Sequence, residues 1–247
     1  MNVKQAQNEN TVSVHAVIVA GGSSSRMSGV DKMLASVLGR PLLFYSIQAL
    51  NECHRVDTIT VVVSRRIKDD VQSLIKEIGW SKVVQVIEGG TRRQDSVRKG
   101  LSSAGKATWV IVHDGARPCV GPKIFETAID VAQETGSAVA AVPVTDTIKL
   151  ADKNMKVIRT FDRDHIWSVQ TPQVFRTDLL MDAHSKVSED VSDDASMVEI
   201  IGGEVKIFDG SYSNIKVTTP TDLTVARAFL EIDSEKLEGL ILRPDQV

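Results

Sequence analysis

The sequence predicts an α/β fold with a Rossmann-like, mostly parallel sheet covered by helices on both faces. The first observation behind this prediction is a five-residue apolar run, 16–20, which indicates a fully buried strand and ends at Gly21 and Gly22. The second is that runs of strand length then alternate with segments of helical periodicity. The third is that the links between them are short, which favours a parallel sheet built from right-handed crossovers.

The strands are predicted from runs of apolar or β-branched residues. Thr58–Val63 is the clearest of them, because every residue in Thr-Ile-Thr-Val-Val-Val is β-branched. The predicted strands are, in chain order, 16–20, 58–63, 83–87, 109–112, 138–142, 205–208 and 214–217.

The helices are predicted from apolar side chains that recur every three or four residues. Over 67–78 these side chains are Ile67, Val71, Leu74, Ile75 and Ile78. Pro41 suits the first position of the helix before them, since its φ is already fixed near the helical value. The predicted helices are 41–53, 67–78, 94–104, 124–134, 177–188, 194–201 and 223–230.

The alternation of strands and helices stops at about 143–168. Short β-like pieces flank an Asp-Lys-Asn turn at 152–154, which predicts a projecting β-arm. The edges of an exposed ribbon are usually covered, and a second copy of the chain could cover them. We therefore expect a homodimer formed through the β-arm.

Length and composition limit the remaining possibilities. Of the 247 residues, 42% are hydrophobic and 25% are charged, and a formal net charge of −3 predicts neither a nucleic-acid nor a membrane partner. No apolar run approaches the ~20 residues of a membrane span. We expect a disordered leader at 1–13, a single domain over 14–231 with the β-arm at about 143–168, and a C-terminal tail at 232–247.

The two cysteines bear on the cellular compartment. Cys53 and Cys119 lack metal-ligand spacing, and a disulfide framework is not expected at this length and count. We therefore expect two free thiols in a reducing, cytoplasmic environment.

Polar clusters follow four predicted strands, at 21–32, 89–96, 113–117 and 145–149, and a fifth, at 215–218, precedes the last helix. Ligands bind outside the carboxyl ends of parallel strands. The first cluster joins two glycines to Arg26 and Lys32, and a glycine-rich loop with cations after a strand is typical of phosphate binding. It is neither a P-loop nor a Gly-x-Gly-x-x-Gly pattern, so a solvated loop with two surface cations remains an alternative. Together the clusters predict a phosphate or nucleotide site.

Six segments between about residues 15 and 230 form an ordered set of motifs: 20–27 with Lys32, 112–118, 146–149, 170–175, 193–196 and 214–218. Together they resemble the 2-C-methyl-D-erythritol 4-phosphate cytidylyltransferase family of the sugar-phosphate nucleotidyltransferases. Two departures concern Gly115, where Ala is usual, and Thr91, where an acidic residue often contacts the nucleotide.

The resemblance implies that CTP and methylerythritol 4-phosphate react to CDP-methylerythritol and pyrophosphate, in the non-mevalonate route to isoprenoid precursors. It also implies Mg²⁺ on the triphosphate, with Asp114 as a metal contact, and Arg163 reaching into the neighbouring subunit's site. The implied catalytic residues are Arg26, Lys32, Arg163 and Lys216. The implied nucleotide contacts are Ala20, Gly21, Gly22, Gly90, Ser96, Asp114 and Ala116. The implied polyol phosphate contacts include Arg117, Thr147 and Thr171.

Other interpretations of these residues remain open at the level of sequence. Asp114 could cap a turn, Arg163 could form a surface ion pair, and Lys216 could point outward from a strand. His113 is better explained as a packed residue at the end of a strand than as a catalyst. Two other functions also remain open: a ribitol-5-phosphate cytidylyltransferase and a nucleotide-binding regulatory module without turnover.

Overall fold

The computed structural model of the chain describes residues 12–22 and 31–241, with side chains in the last helix described only as far as Ile232. The strands are β1 Val14–Ala20, β2 Ser36–Val37, β3 Arg40–Pro41, β4 Thr58–Val63, β5 Val83–Glu88, β6 Trp109–Asp114, β7 Ser137–Pro143, β8 Lys149–Ala151, β9 Val157–Thr160, β10 Trp167–Arg176 and β11 Lys206–Asp209. The α-helices are α1 Leu42–Glu52, α2 Lys68–Ile78, α3 Arg93–Leu101, α4 Pro122–Thr135, α5 Thr177–Lys186, α6 Asp194–Ile200 and α7 Pro220–Ile241.

Seven strands form the main sheet in the order β11-β7-β10-β6-β1-β4-β5. All neighbours are parallel except β10, which runs antiparallel to both β6 and β7. The α/β class and the mostly parallel sheet are confirmed. β1 lies inside the sheet, so the loops after β1 and β6 emerge side by side at its carboxyl edge.

Helices cover both faces of the sheet, as β1 shows most directly. Its side chains alternate: Ala16 and Ile18 pack in the core under α1, α2 and α4, while Val17 and Val19 pack under α3, α5 and α6. The residues of β1 are therefore buried on both sides, which explains its uninterrupted apolar sequence. The long helix α7 packs in a third, smaller cluster that includes Val217.

Most predicted elements are confirmed within a few residues, but some expectations were wrong. Residues 214–217 do not form a strand and follow an irregular path. Pro41 precedes α1 rather than beginning it. The last helix runs past residue 230 to Ile241, through the start of the expected tail. The leader, 1–13, lies almost wholly outside the described residues.

The β-arm contains the antiparallel pair β8 and β9, which forms its own two-stranded sheet. Several large apolar side chains on it are exposed, with Met155 at 84% and Ile158 at 62%. After the arm the chain returns into the main sheet as β10, which the sequence analysis did not predict. No helix in the described ranges, 12–22 and 31–241, combines the length and apolar character of a membrane span.

Candidate active site

The centre of the candidate site is Asp114, the last residue of β6. Its Oδ1 accepts a hydrogen bond from Arg93 Nε at 3.2 Å, and its Oδ2 lies 2.8 Å from Lys216 Nζ and 3.8 Å from Arg117 Nε. Its backbone N–H donates to Thr171 Oγ1 at 3.0 Å. One buried carboxylate is thus surrounded by three cations, of which Arg93 and Lys216 come from distant parts of the chain and Arg117 follows three residues later.

The charges around Asp114 fix its ionisation state. Burial opposes ionisation, but Arg93, Lys216 and Arg117 outweigh it and hold the pKa of the Asp114 carboxyl well below its usual range. Burial also lowers the pKa of Arg117, although Asp114 acts against that change. Because arginine stays protonated in proteins, three positive charges at this centre face two carboxylates, Asp114 and Asp194, the second of which pairs with Arg93. That excess of positive charge suits a polyanionic ligand.

Arg93 is a member of this centre that the sequence analysis did not single out. Its Nη1 lies 2.5 Å from Asp194 Oδ2, so the guanidinium bridges two buried carboxylates. Burial acts to lower the pKa of Arg93, but Asp194 and Asp114 outweigh it and raise the pKa above its usual range. A signal was available, because Arg93 opens α3 directly after a strand and the glycine-rich turn at 89–90.

A cavity of about 500 Å³ lies at the carboxyl ends of β1, β5 and β6 and includes Asp114 and Lys216 in its wall. Of the site residues predicted from sequence, Ala20 ends β1 next to this cavity without lining it. The remaining lining residues that the sequence predicted are Gly21, Gly22, Lys32, Gly90, Ser96 and Ala116. Lys32 Nζ also donates to the backbone oxygen of Val217 at 3.1 Å, which holds its ammonium beside the segment that carries Lys216.

A second cavity of about 180 Å³ shares Arg93, Asp114 and Lys216 with the first. It also contains Arg117 and Thr171, the predicted polyol phosphate contacts. The two cavities therefore meet at the same cluster of cations. A ligand in each would bring its charged groups to a common point.

The glycine turn before α3 is shaped by Ser96. The Ser96 hydroxyl accepts from Gly90 N–H at 3.0 Å and donates to the backbone oxygen of Arg92 at 3.2 Å. A Cβ on Gly90 would lie 2.3 Å from Asp95 Cβ, so only glycine fits there. Gly90 and Ser96 thus set the shape of one cavity wall, in addition to any contact with a ligand.

Two predicted site residues lie away from both cavities within this chain. Thr147 and Arg163 are exposed at the arm, and Arg163 Nη1 donates to the backbone oxygen of Thr145 at 3.1 Å. Neither belongs to the residues lining the two cavities. Arg26 falls at 23–30, outside the described residues.

Two carboxylates among the described residues line the site: Asp114, which lines both cavities, and Asp193, which lines the smaller one. Within 12–22 and 31–232, no group of three or more His, Cys, Asp or Glu side chains could hold a metal ion. Asp114 is the one acidic residue among the described residues lining the larger cavity. Mg²⁺ is commonly held by one or two carboxylates together with substrate phosphates, and this donor set fits that arrangement only.

Fold and site together define a Rossmann-like α/β protein with a cluster of cations at the carboxyl edge of its sheet. A sequence model of the family "2-C-methyl-D-erythritol 4-phosphate cytidylyltransferase" (IspD) matches residues 14–232. The chain belongs to this family and is a nucleotidyltransferase.

Similar proteins agree with this assignment. A 2-C-methyl-D-erythritol 4-phosphate cytidylyltransferase of Dehalococcoides mccartyi (strain CBDB1) is 43% identical over 218 residues, which cover 88% of this chain and 96% of the relative. One from Alkaliphilus oremlandii is 40% identical over 233 residues, 92% and 99% of the two chains. The crystal structure of 4-diphosphocytidyl-2C-methyl-D-erythritol synthase from Anaerococcus prevotii superposes with a TM-score of 0.80 at 28% identity, covering 89% of this chain and 96% of that one.

Proposed function

We propose that this protein transfers the cytidylyl group of CTP to 2-C-methyl-D-erythritol 4-phosphate, forming CDP-methylerythritol and pyrophosphate. The observation that carries the proposal is the meeting of two cavities at Asp114, Arg93 and Lys216. Two polyanionic substrates must approach each other in this reaction. A shared cluster of cations lowers their mutual repulsion.

The larger cavity suits CTP and the smaller one suits the polyol phosphate. Gly21, Gly22 and Gly90 bring backbone close to the larger cavity, while Lys32 supplies charge for a triphosphate. Arg117 and Thr171 line the smaller cavity, next to the shared Lys216. Arg26 is proposed to act with Lys32 on the triphosphate.

In the reaction, a phosphate oxygen of the polyol attacks the α-phosphorus of CTP. A bond forms between this oxygen and the α-phosphorus while the bond from the α-phosphorus to the oxygen that bridges to the β-phosphate breaks. Pyrophosphate leaves with the electron pair of the broken bond. Negative charge grows on the transferring group and on the leaving group, so positioning and cationic stabilisation supply most of the catalysis. Lys32 and Lys216 can provide that charge. The attacking phosphate is already anionic, so the step needs no general base.

Mg²⁺ is proposed as the cofactor, held mainly by the triphosphate with Asp114 as its protein contact. Mg²⁺ would neutralise part of the triphosphate charge. Because Asp114 already pairs with Arg93 and Lys216, its main role in the protein is to hold those two cations.

A homodimer formed through the β-arm is proposed to complete each site. The exposed apolar side chains of the arm, Met155 and Ile158 among them, would be covered by a partner. Arg163 and Thr147 would then bind the polyol phosphate in the partner's site. A cytoplasmic location is also proposed, in agreement with Cys53 and Cys119 being buried and not joined by a disulfide.

A pyrophosphate-release assay tests the function. The purified protein is given CTP, UTP or ATP with methylerythritol 4-phosphate or ribitol 5-phosphate, with and without Mg²⁺. The expected result is Mg²⁺-dependent release that is fastest with CTP and methylerythritol 4-phosphate. A higher kcat/KM with ribitol 5-phosphate would favour the sister activity. Absence of release with every pair would favour a regulatory nucleotide-binding protein.

A further inference from the structure

The segment that carries Lys216 has no regular secondary structure, although it supplies a central cation of the site. Between β11 and α7, residues 211–217 lie outside the sheet. A strand is fixed by its ladder of hydrogen bonds, and this segment has no such ladder. Some other interaction must therefore place Lys216 beside Asp114. After Lys216, the segment is held by Val217, whose N–H donates to the backbone oxygen of Ala116 at 2.8 Å.

Before Lys216, the segment is held by Asn214. Its side chain is fully buried, and its Nδ2 donates to the backbone oxygen of Thr171 at 2.9 Å and to Gln170 Oε1 at 3.2 Å. Its backbone oxygen accepts from Arg117 Nη1 at 2.7 Å. A single residue thus joins the segment to Thr171 on β10 and to Arg117 beyond β6.

These partners all line the smaller cavity, whereas Asn214 itself lies behind it. The wall of the smaller cavity includes Gln170, Thr171, Arg117 and also Lys216. Asn214 therefore contacts no part of the cavity directly and can act only through its neighbours.

The hydrogen bonds of Asn214 also show that stability is not its only role. Its Oδ1 is buried and has no hydrogen-bond partner among the described residues. A buried acceptor without a partner costs stability. A side chain selected for packing alone would not carry that cost.

We propose that Asn214 is a positioning residue for the transfer reaction, setting Lys216, Arg117 and Thr171 relative to one another around the polyol phosphate. This inference rests on the proposed function. Near-attack geometry is sensitive to shifts on the order of 1 Å, which can cost about 100-fold in rate. Loss of the two side-chain donors would allow such a shift in the segment.

The test replaces Asn214 with Ala and, separately, with Asp, which keeps the volume but removes both N–H donors. We expect kcat/KM for the polyol phosphate to fall about 100-fold in both variants. KM for CTP is expected to change much less than KM for the polyol phosphate. Ser137→Ala is the matched control, because it removes a buried hydrogen bond to Glu204 O at the start of β7, far from the cavities.

A double-mutant cycle with Lys216→Ala separates positioning from general destabilisation. If Asn214 acts on the group of residues that includes Lys216, the loss of kcat/KM in the double variant Asn214→Ala with Lys216→Ala should be clearly smaller than the product of the two single losses. Multiplying losses, or a near wild-type kcat/KM in Asn214→Asp, would overturn the inference. If either variant fails to fold, Asn214→Ser, which buries no charge, is tested by the same criterion. A wild-type protein without transferase activity would instead contradict the proposed function.

Discussion

The carboxyl edge of the sheet and the β-arm hold their charged residues in opposite ways. At the sheet edge, Asp114 and Arg93 are largely buried, and Arg93 forms ion pairs with both Asp114 and Asp194. On the arm, Arg163 is exposed, and its guanidinium donates to the backbone oxygen of Thr145 on the same arm. The first region is organised within one chain. The second exposes apolar side chains, Met155 and Ile158 among them, beside its charged residues.

This difference has a consequence for mutation. Removing a cation from the sheet edge should damage the site in every chain that carries the change. If the proposed dimer forms, removing one from the arm should damage the partner's site and leave the fold of its own chain unaffected.

The largest effect is expected for Lys216→Ala. Its ammonium lies 2.8 Å from Asp114 Oδ2 and lines both cavities. Removing a charge that stabilises the transition state should lower kcat by roughly 100- to 1,000-fold. Steady-state pyrophosphate release measures the loss. The control is Lys206→Ala, which removes an exposed lysine side chain on the outer strand β11 that pairs with Glu134 of α4. This variant should retain wild-type turnover.

Wild-type kcat in the Lys216→Ala variant would remove that residue from the catalytic centre. It would also leave Asp114 with Arg93 and Arg117 alone as its functional partners.

A smaller effect, about 10- to 100-fold on kcat/KM for the polyol phosphate, is expected for Arg163→Ala, which would lose the proposed phosphate contact. Its Tm should stay at the wild-type value, since the side chain is exposed. The key measurement mixes Arg163→Ala with Lys32→Ala subunits. If Arg163 acts in the partner's site, random mixed dimers hold one intact site, and about a quarter of wild-type activity should return.

If mixing restores no activity, Arg163 acts in the site of its own chain or in no site at all. Light scattering on each variant, before and after mixing, shows whether dimers are present at all.

The smallest effect is expected on the pH dependence of stability. The pKa of Asp114 is depressed in the folded protein, so its stabilisation is present above the unfolded value of about 3.9 and is lost as the pH falls below it. Asp114→Asn should lower the free energy of unfolding at pH 7 by about 2 kcal/mol. The free energy of unfolding of this variant should also depend less on pH below about 3.9 than that of the wild type. Urea denaturation at a series of pH values measures this.

An Asp114→Asn variant that shows the wild-type pH dependence would mean that other carboxylates account for it. Asp194, whose pKa is lowered by Arg93 and His184 against the effect of burial, is the nearest comparison.

The fold was predictable where local pattern and tertiary position agree. Thr58–Val63 has the same bounds in the sequence prediction and in the structure, because a β-branched run also suits a buried inner strand. The prediction failed at 214–217, where Ile215 and Val217 have a strand-like alternation but the path is set by hydrogen bonds of Asn214 and of the Val217 backbone. β10 was not predicted, because the chain re-enters the main sheet there, antiparallel to β6 and β7, at a point set by where the arm ends.

The site was predictable in part for a similar reason. Gly21, Lys32, Asp114 and Lys216 follow the general rule that ligands bind at the carboxyl edge of the sheet, and the structure brings them to one cavity. Arg93 was missed because a polar helix entrance gives no sign of which side chain turns inward to two buried carboxylates. The proposed role of Arg163 depends on a second chain, which no local pattern describes.

The most direct test is a crystal structure of this protein with Mg²⁺, methylerythritol 4-phosphate and a non-reacting CTP analogue. The account predicts that the triphosphate lies within hydrogen-bonding distance of Lys32, and that Lys216 lies between the α-phosphate and the polyol phosphate. A triphosphate bound away from Lys32, Lys216 and Asp114 would contradict it.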